Sequence, residues 1–429
     1  MQTTLGHLAT WMPQQRWYSP TGRSPRLRLL DQRELTSRDA DVAVRVVIVA
    51  DGDDENAVVY QVPLVTRPAE VTGPWTIALQ DGRAVIDGPH DHAFASALLA
   101  ELGRSDLDGP SQVLVGEQSN TSIIFRPHQA APTICKVFRR LHPGINPDIE
   151  LQSALAAAGS RHVPPVVGHL DGRWTMAQGR DVQQGSLAFA QEFLPDVDDA
   201  WRVALGAAGG NTDFTSEAAS LGQVTAAVHR DLARLFPTPS ADDAARHAIS
   251  TAWRRRLSIA MVEVPALAAH EAAISRIYAA AAASAWPALQ RVHGDYHLGQ
   301  VLHSPTRGWM LLDFEGEPMR PIAERRAPDL ALRDIAGMLR SFDYVAGSLR
   351  LQRAPQQHDA AVDEDAEAWA RAARAAFLAG YADTGGAPAV TLLNALELDK
   401  AVYEAIYEAR HRPAWLAIPL SAIERLLAH

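Results

Sequence analysis

The stretch that most restricts this chain is Arg291-Val-His-Gly-Asp-Tyr-His-Leu-Gly-Gln300, together with Trp309-Met-Leu-Leu-Asp-Phe-Glu-Gly-Glu317 just after it. Gly294 and Gly299 oppose a helix, so the first piece reads as a tight loop carrying Asp295. The second reads as a short apolar strand ending in a turn that carries Asp313. Loop, strand and turn together deliver two carboxylates and the amide of Gln300 to one place. His293 and His297 stand four apart, but no Glu follows His293 as a helical His-Glu-x-x-His zinc site would require. His293 is therefore read as bracing the loop, and the role of His297 stays open. A carboxylate facing a hydroxyl, with hard oxygen ligands beside it for Mg²⁺, is the equipment of phosphoryl transfer. The bland alternative is a hairpin with an acidic turn.

The spacing resembles the catalytic core of protein-kinase-like enzymes, in which an Asp-bearing loop precedes Asp-Phe-Gly. His293-Gly-Asp295 is the form seen in the aminoglycoside phosphotransferase and choline kinase branch. The resemblance makes Asp295 the base and Asp313 a metal ligand. Gln300, five residues after Asp295, stands where that branch usually has Asn.

Composition narrows the class further. At 429 residues the chain has room for one to three domains. With 47% hydrophobic and 21% charged residues it has an ordinary globular balance. No apolar run is long enough to span a membrane, and the first residues lack the basic and apolar regions of a signal peptide. A single cysteine, Cys135, permits no internal disulfide and fits a reducing compartment, so the cytoplasm is the expected location. A net charge of −10 makes nucleic acid a poor partner. Arg254-Arg-Arg256 is read as a solvated helix face.

In chain order, residues 1–88 read as a small β-rich unit. It has a short helix over 5–12, strands at 42–49 and 57–65, and a turn at Asp81-Gly82. Trp17 and Tyr18 are read as core or interface aromatics. A helix over 92–102 follows, then a strand–turn–strand from Val113 to Phe125. Its polar turn, with Ser119, Asn120 and Thr121, could offer N–H groups to nucleotide phosphates. Lys136 sits alone in the apolar strand Thr133–Phe138 and needs a partner or an anion. Glu150, in the acidic first turn of the helix opened by Asn146-Pro147, is the expected partner. The stretch Leu187–Pro195, with Glu192 and Leu194, falls in the order of a kinase hinge whose backbone would meet adenine. Residues 198–287 read as mostly helical, with His229 packed in a helix. Residues 332–344 form a helix whose Asp334 is expected to be buried against the catalytic loop. Residues 352–365 read as a mobile connection, and helices over 366–383 and 389–411 close the chain.

On the last of these helices Lys400, Glu404, Tyr407 and His411 share a face, with Trp415 beyond its end. Carboxylate, phenol, cation and aromatic suit a sugar; a helix laced by ion pairs four residues apart explains the same residues equally well.

Several longer pieces resemble the actinobacterial maltokinases: Gln15-Arg-Trp-Tyr18, Glu117-Gln-Ser-Asn-Thr-Ser122, Gly144-Ile-Asn-Pro-Asp-Ile-Glu-Leu151, Asp313-Phe-Glu-Gly-Glu-Pro318 and Arg410-His-Arg-Pro413. Tyr296 departs from the Leu expected there. The resemblance implies an α+β, bilobal protein-kinase-like fold. Its parts would be a β-rich N-terminal cap (1–88), a nucleotide-binding N-lobe (89–194) and a mostly helical C-lobe (195–429). It also implies ATP with Mg²⁺ as cofactors, maltose as substrate and maltose 1-phosphate as a product feeding α-glucan synthesis. By matching position, Asp295 is the base and Gln300 and Asp313 hold Mg²⁺. Lys136, paired with Glu150, meets the phosphates, and Lys400, Glu404, Tyr407 and His411 line the sugar site. A related group of kinases that phosphorylate glucosamine is the alternative within enzymes; an inactive kinase-like binding module is the alternative outside them. Neither a nucleic-acid nor a membrane partner is expected, and a monomer is favoured.

Overall fold

The structure is a computed structural model and describes residues 2–19, 23–52, 57–114, 119–176, 182–318, 320–352 and 360–428. The chain divides into two compact units, Met1–Glu150 with Pro164–Pro195, and Leu151–Val163 with Asp196–His429. The expected boundary at 88/89 falls inside the first unit, and residues 151–163 join the second.

The first unit begins with α1 (Gln2–Trp11) and five strands, β1 (Leu27–Leu35), β2 (Ala43–Asp51), β3 (Val58–Pro68), β4 (Thr76–Gln80) and β5 (Arg83–Asp87). They form an antiparallel sheet in the order β1-β2-β3-β5-β4. The valine-rich β2 and β3 lie centrally and are buried on both faces, as β-branched runs favour. The sequence reading missed β1 because it lies at the sheet edge, where charged residues such as Arg28, Asp31 and Arg33 are tolerated. Trp17 and Tyr18 are core residues, as expected. Tyr18 stacks on Tyr60 at 5.4 Å and donates to Asp51 at 2.6 Å.

Helix α2 (His92–Glu101) follows, its N-terminus capped by the Asp91 side chain accepting from the Ala93 N–H. A second antiparallel sheet comprises β6 (Ser111–Val113), β7 (Asn120–Phe125), β8 (Thr133–Phe138), β10 (Val166–Thr175) and β11 (Val182–Glu192), in the order β10-β11-β8-β7-β6. The two-residue β9 (Arg140–Leu141) pairs with β3 of the first sheet. Helix α3 (Pro147–Ala157) starts in the first unit and ends in the second.

The second unit is helical around one core. It contains β12 (Asp198–Asp199), α4 (Ala200–Gly209), α5 (Thr215–Leu235), α6 (Asp243–Glu263) and α7 (Glu271–Ala283). The short β13 (Val301–Ser304) and β14 (Gly308–Leu311) come next, then α8 (Ile322–Arg326), α9 (Leu332–Gln352), α10 (Ala360–Gly385), α11 (Val390–His411) and α12 (Ala417–Leu427). A small sheet runs β12-β13-β14. Leu221, Trp253, Ile335, Phe342, Phe377 and Leu398 from five helices meet in the core. Of the expected connection at 352–365, residues 353–359 lie outside the described residues, and α10 already begins at Ala360. Arg254 and Arg255 are exposed as expected, but Arg256 turns inward to Asp399 of α11. On a helix, neighbours 100° apart cannot all face solvent when the segment packs on another helix. Among the described residues no helix is long and apolar enough to cross a membrane.

Candidate active site

The loop between α7 and β13 is built on buried polar anchors. Asp334, 1% exposed at the start of α9, accepts the His293 and Gly294 N–H groups, each at 2.9 Å. Its second interaction is with His229 of α5, whose Nε2 lies 2.9 Å from the carboxylate. Burial disfavours the Asp334 anion, yet bonds from His229 and Gly294 hold its carboxyl below the usual range. The expected structural roles of Asp334 and His229 therefore stand.

His293 braces the loop as expected. Its Nε2 reaches the Leu312 carbonyl at 2.7 Å, and its ring lies against Phe314 at 4.6 Å. A carbonyl can only accept, so Nε2 carries the proton and Nδ1 is left to accept from the Asp295 N–H. One imidazole thus ties the Asp295 loop to the Asp313 turn. Gly294, at φ +84°, admits this closeness: a Cβ there would meet Gly316 Cα at 3.1 Å. Tyr296, where Leu was expected, is buried and hydrogen-bonds to Thr225 of α5 at 2.9 Å. The loop is pinned to α5, α9 and the turn after β14 before any ligand arrives.

Asp313 adopts the left-handed conformation, φ +63°, which Asp tolerates better than most residues. Gln300 Nε2 donates to Asp313 Oδ2 at 3.0 Å. Amide oxygen and carboxylate are hard donors held side by side, so the pair fits Mg²⁺ rather than a soft metal. His297 turns back on its own loop, accepting the Gly299 N–H at Nδ1, and burial pushes its pKa down.

Asp295, 23% exposed at its side chain, opens onto a cavity of about 510 Å³ wholly within the second unit. Lys400, Glu404 and Tyr407 of α11 line it. His411 does not: it is exposed, stacks on Tyr407 at 4.5 Å and bonds to the Tyr407 carbonyl. By the last turn the shared face has rotated out of the groove. The lining also includes residues the spacing did not single out, namely Trp201, Tyr344, Tyr403, Glu408 and Arg412, together with Trp415. Glu404-Glu408-Arg412 is a four-residue repeat along one helix face, and that signal could have found the last two members. Trp201 and Tyr344 come from α4 and α9, and no spacing rule joins them to α11.

Every charged group of the cavity wall is partnered. Glu404 accepts from Arg340 at 2.8 Å, and burial still raises its pKa. Arg412 clasps Glu408 through both carboxylate oxygens, at 2.9 and 2.6 Å, and lies over Trp415 at 4.6 Å. Lys400 Nζ lies 3.2 Å from Asp295 Oδ1 and 2.7 Å from Glu317 Oε1. Burial opposes ionisation of Glu317, but Lys400, Arg333 and Arg256 outweigh it and bring its pKa down to about 2.

The expected nucleotide residues lie in the first unit. Lys136 on β8 pairs with Asp148 at 2.9 Å. Positions 148 and 150 stand about 200° apart around a helix, and Asp148 is buried. Ser119 is exposed and Asn120 starts β7. The Thr121 hydroxyl is already engaged, accepting from buried Arg139 Nε at 2.8 Å. Residues 115–118 of the expected phosphate hairpin lie outside the described residues. Glu192 ends β11, its N–H donating to the Pro165 carbonyl, and Leu194 follows it, half-buried.

Residues 11–91 match the maltokinase N-terminal cap domain. The chain is 31% identical over 419 residues to a glucosamine kinase of Streptacidiphilus jiangxiensis, covering 90% of this chain and 88% of that protein. It is 29% identical to a glucosamine kinase of Mycolicibacterium smegmatis, covering 81% and 91%. A solved glucosamine kinase in complex with glucosamine, ADP and inorganic phosphate superposes with a TM-score of 0.66 at 27% identity, covering 94% of each chain. The fold and these likenesses thus define a phosphotransferase of the protein-kinase-like fold, acting with ATP and Mg²⁺. Within that class the chain belongs to the glucosamine kinase family.

Proposed function

We propose that this kinase phosphorylates glucosamine, in place of the maltose implied by the sequence resemblance. One observation carries the choice. The maltokinase match ends at residue 91, whereas the cavity beside Asp295 is lined by residues between Trp201 and Trp415. A cap-domain likeness therefore says nothing about the acceptor pocket. The likeness that does span the pocket is to glucosamine kinases. Maltose is the second reading, favoured by the cap alone.

Asp295 accepts a hydrogen bond from the acceptor hydroxyl and aligns it for attack on the γ-phosphate. Gln300 and Asp313 would hold Mg²⁺, which supplies charge neutralisation on the phosphates. Lys136, fixed by Asp148, would meet phosphate oxygens. Trp415 and Tyr344 offer faces for the pyranose, and Glu404 and Glu408 offer acceptors to its hydroxyls and ammonium. The fixed geometry of loop and cavity makes positioning and electrostatics the main sources of acceleration.

The test is ADP release by the purified protein with ATP, Mg²⁺ and, separately, glucosamine, maltose and glucose. Release with glucosamine well above the other two is expected. Release with maltose alone would overturn the glucosamine reading and leave the kinase assignment in place.

A further inference from the structure

Lys400 reads from sequence as a sugar ligand, but its surroundings give it another task. Its ammonium bridges two carboxylates, Glu317 at 2.7 Å and Asp295 at 3.2 Å, and lies 4.9 Å from the centre of the Tyr403 ring. Glu317 is 2% exposed and comes from the same Asp-Phe-Glu-Gly-Glu turn that carries Asp313. Its other oxygen, Oε2, has no hydrogen-bond partner among the described residues, so Lys400 supplies its only such bond there.

Behind Glu317 the charges continue inward. Arg333 and Arg256 flank it, Asp399 lies beside both arginines, and Asp329 is shared by Arg333 at 2.7 Å and Arg320 at 3.1 Å. Asp295, Glu317, Asp329 and Asp399 thus face Lys400, Arg256, Arg320 and Arg333, four against four. Of the four carboxylates, Asp295 is the one that lines the cavity. A lysine with a buried anchor on one side and the catalytic carboxylate on the other is held still, which sugar binding alone would not require.

We propose that Glu317 and Lys400 form a positioning pair that fixes the Asp295 carboxylate, one oxygen held by Lys400 and the other presented to the acceptor hydroxyl. The pair sets turnover rather than sugar affinity. Lys400 acts through Asp295, and Glu317 acts through Lys400. The pairing also links the Asp295 loop, the Asp313 turn and α11 through side chains alone, so misplacement of one reaches the others. This inference rests on the sugar kinase reading but not on the identity of the sugar.

The experiment is a double-mutant cycle on the full chain, with Glu317→Met, Lys400→Met and the two together, scored by melting temperature, kcat and the KM for sugar. Each single variant takes from a buried charge its nearest partner and is expected to lower the melting temperature. The double variant removes both charges and is expected to recover most of that loss. Its kcat should stay on the order of 10²-fold below wild type, with the sugar KM nearly unchanged. Glu317→Gln, which keeps Lys400 but loosens its anchor, should show the same kcat-dominated loss in smaller measure. Recovery of kcat together with melting temperature in the double variant would make the pair merely structural and overturn the proposal. A raised sugar KM at preserved kcat would overturn it too, returning Lys400 to sugar binding. The cycle is run on whichever sugar the wild type turns over, so a wild type that prefers maltose corrects the substrate and not the pair.

Discussion

Two buried cation–carboxylate sets, one in each unit, show how similar ingredients serve different ends. In the first unit Arg139, fully buried, donates to both oxygens of Asp87 at 2.8 and 2.7 Å and to Thr121, with its guanidinium over Trp17. Both Asp87 oxygens are used and protein surrounds the pair on all sides. In the second unit Lys400 joins buried Glu317 to Asp295, and Asp295 opens on a cavity. The closed set holds β-sheet elements together; the open one leaves a carboxylate oxygen for a ligand. The lesson is that burial of a charge pair does not mark function, whereas an incomplete burial at one member does.

The comparison can be broken most strongly at Arg139. Arg139→Met leaves Asp87 buried without its partner and should cost about 3–5 kcal/mol of stability. A lowered thermal or denaturant midpoint checks this, with kcat of the folded fraction largely retained. Asp295→Asn should do the reverse. Turnover should fall on the order of 10²-fold while the melting temperature moves little, because only the exposed end of the network is altered. Steady-state kinetics and a melting curve on the same sample decide it.

A smaller effect follows from Glu317. Its pKa lies at about 2 in the folded chain against an ordinary 4.5, so folding favours the ionised form. The stability this lends is full above about pH 4.5 and is lost as pH falls through about 2. Melting temperature between pH 5 and 2 should therefore fall more steeply in wild type than in the Glu317→Met, Lys400→Met double variant. The smallest effect is at Cys135, fully buried on β8, where burial pushes the thiol pKa up to about 12. Thiol reagents at neutral pH should leave the native protein unmodified and label it only on unfolding.

The sequence carried the helical unit well. Its loop, strand and turn around Asp295, the packing of His229, the anchoring role of Asp334 and the shared helix face of Lys400, Glu404 and Tyr407 were all legible, because each rests on local spacing, although spacing did not say what that face meets. What failed needed rotation or distance. Lys136 takes Asp148, a partner the sequence reading did not single out. That the Thr121 hydroxyl serves Arg139 was out of view, because the sequence does not say what lies beside a strand side chain. Arg256 leaves its solvated neighbours for Asp399, a partner 143 residues away. His411 drops out of the cavity because the helix turns past the groove. Trp201 and Tyr344 enter it from other helices. Glu317, the anchor of Lys400, was in view within the motif, but its partner comes from α11, 83 residues on.

The most direct measurement is the sugar-dependent ADP release of wild type and Asp295→Asn, side by side, with sugar binding followed by calorimetry. The expected result is sugar-dependent release by wild type that drops on the order of 10²-fold in the variant while the sugar still binds. Near-wild-type release from Asp295→Asn would contradict the assignment of Asp295, and with it the reading of the cavity as the acceptor site.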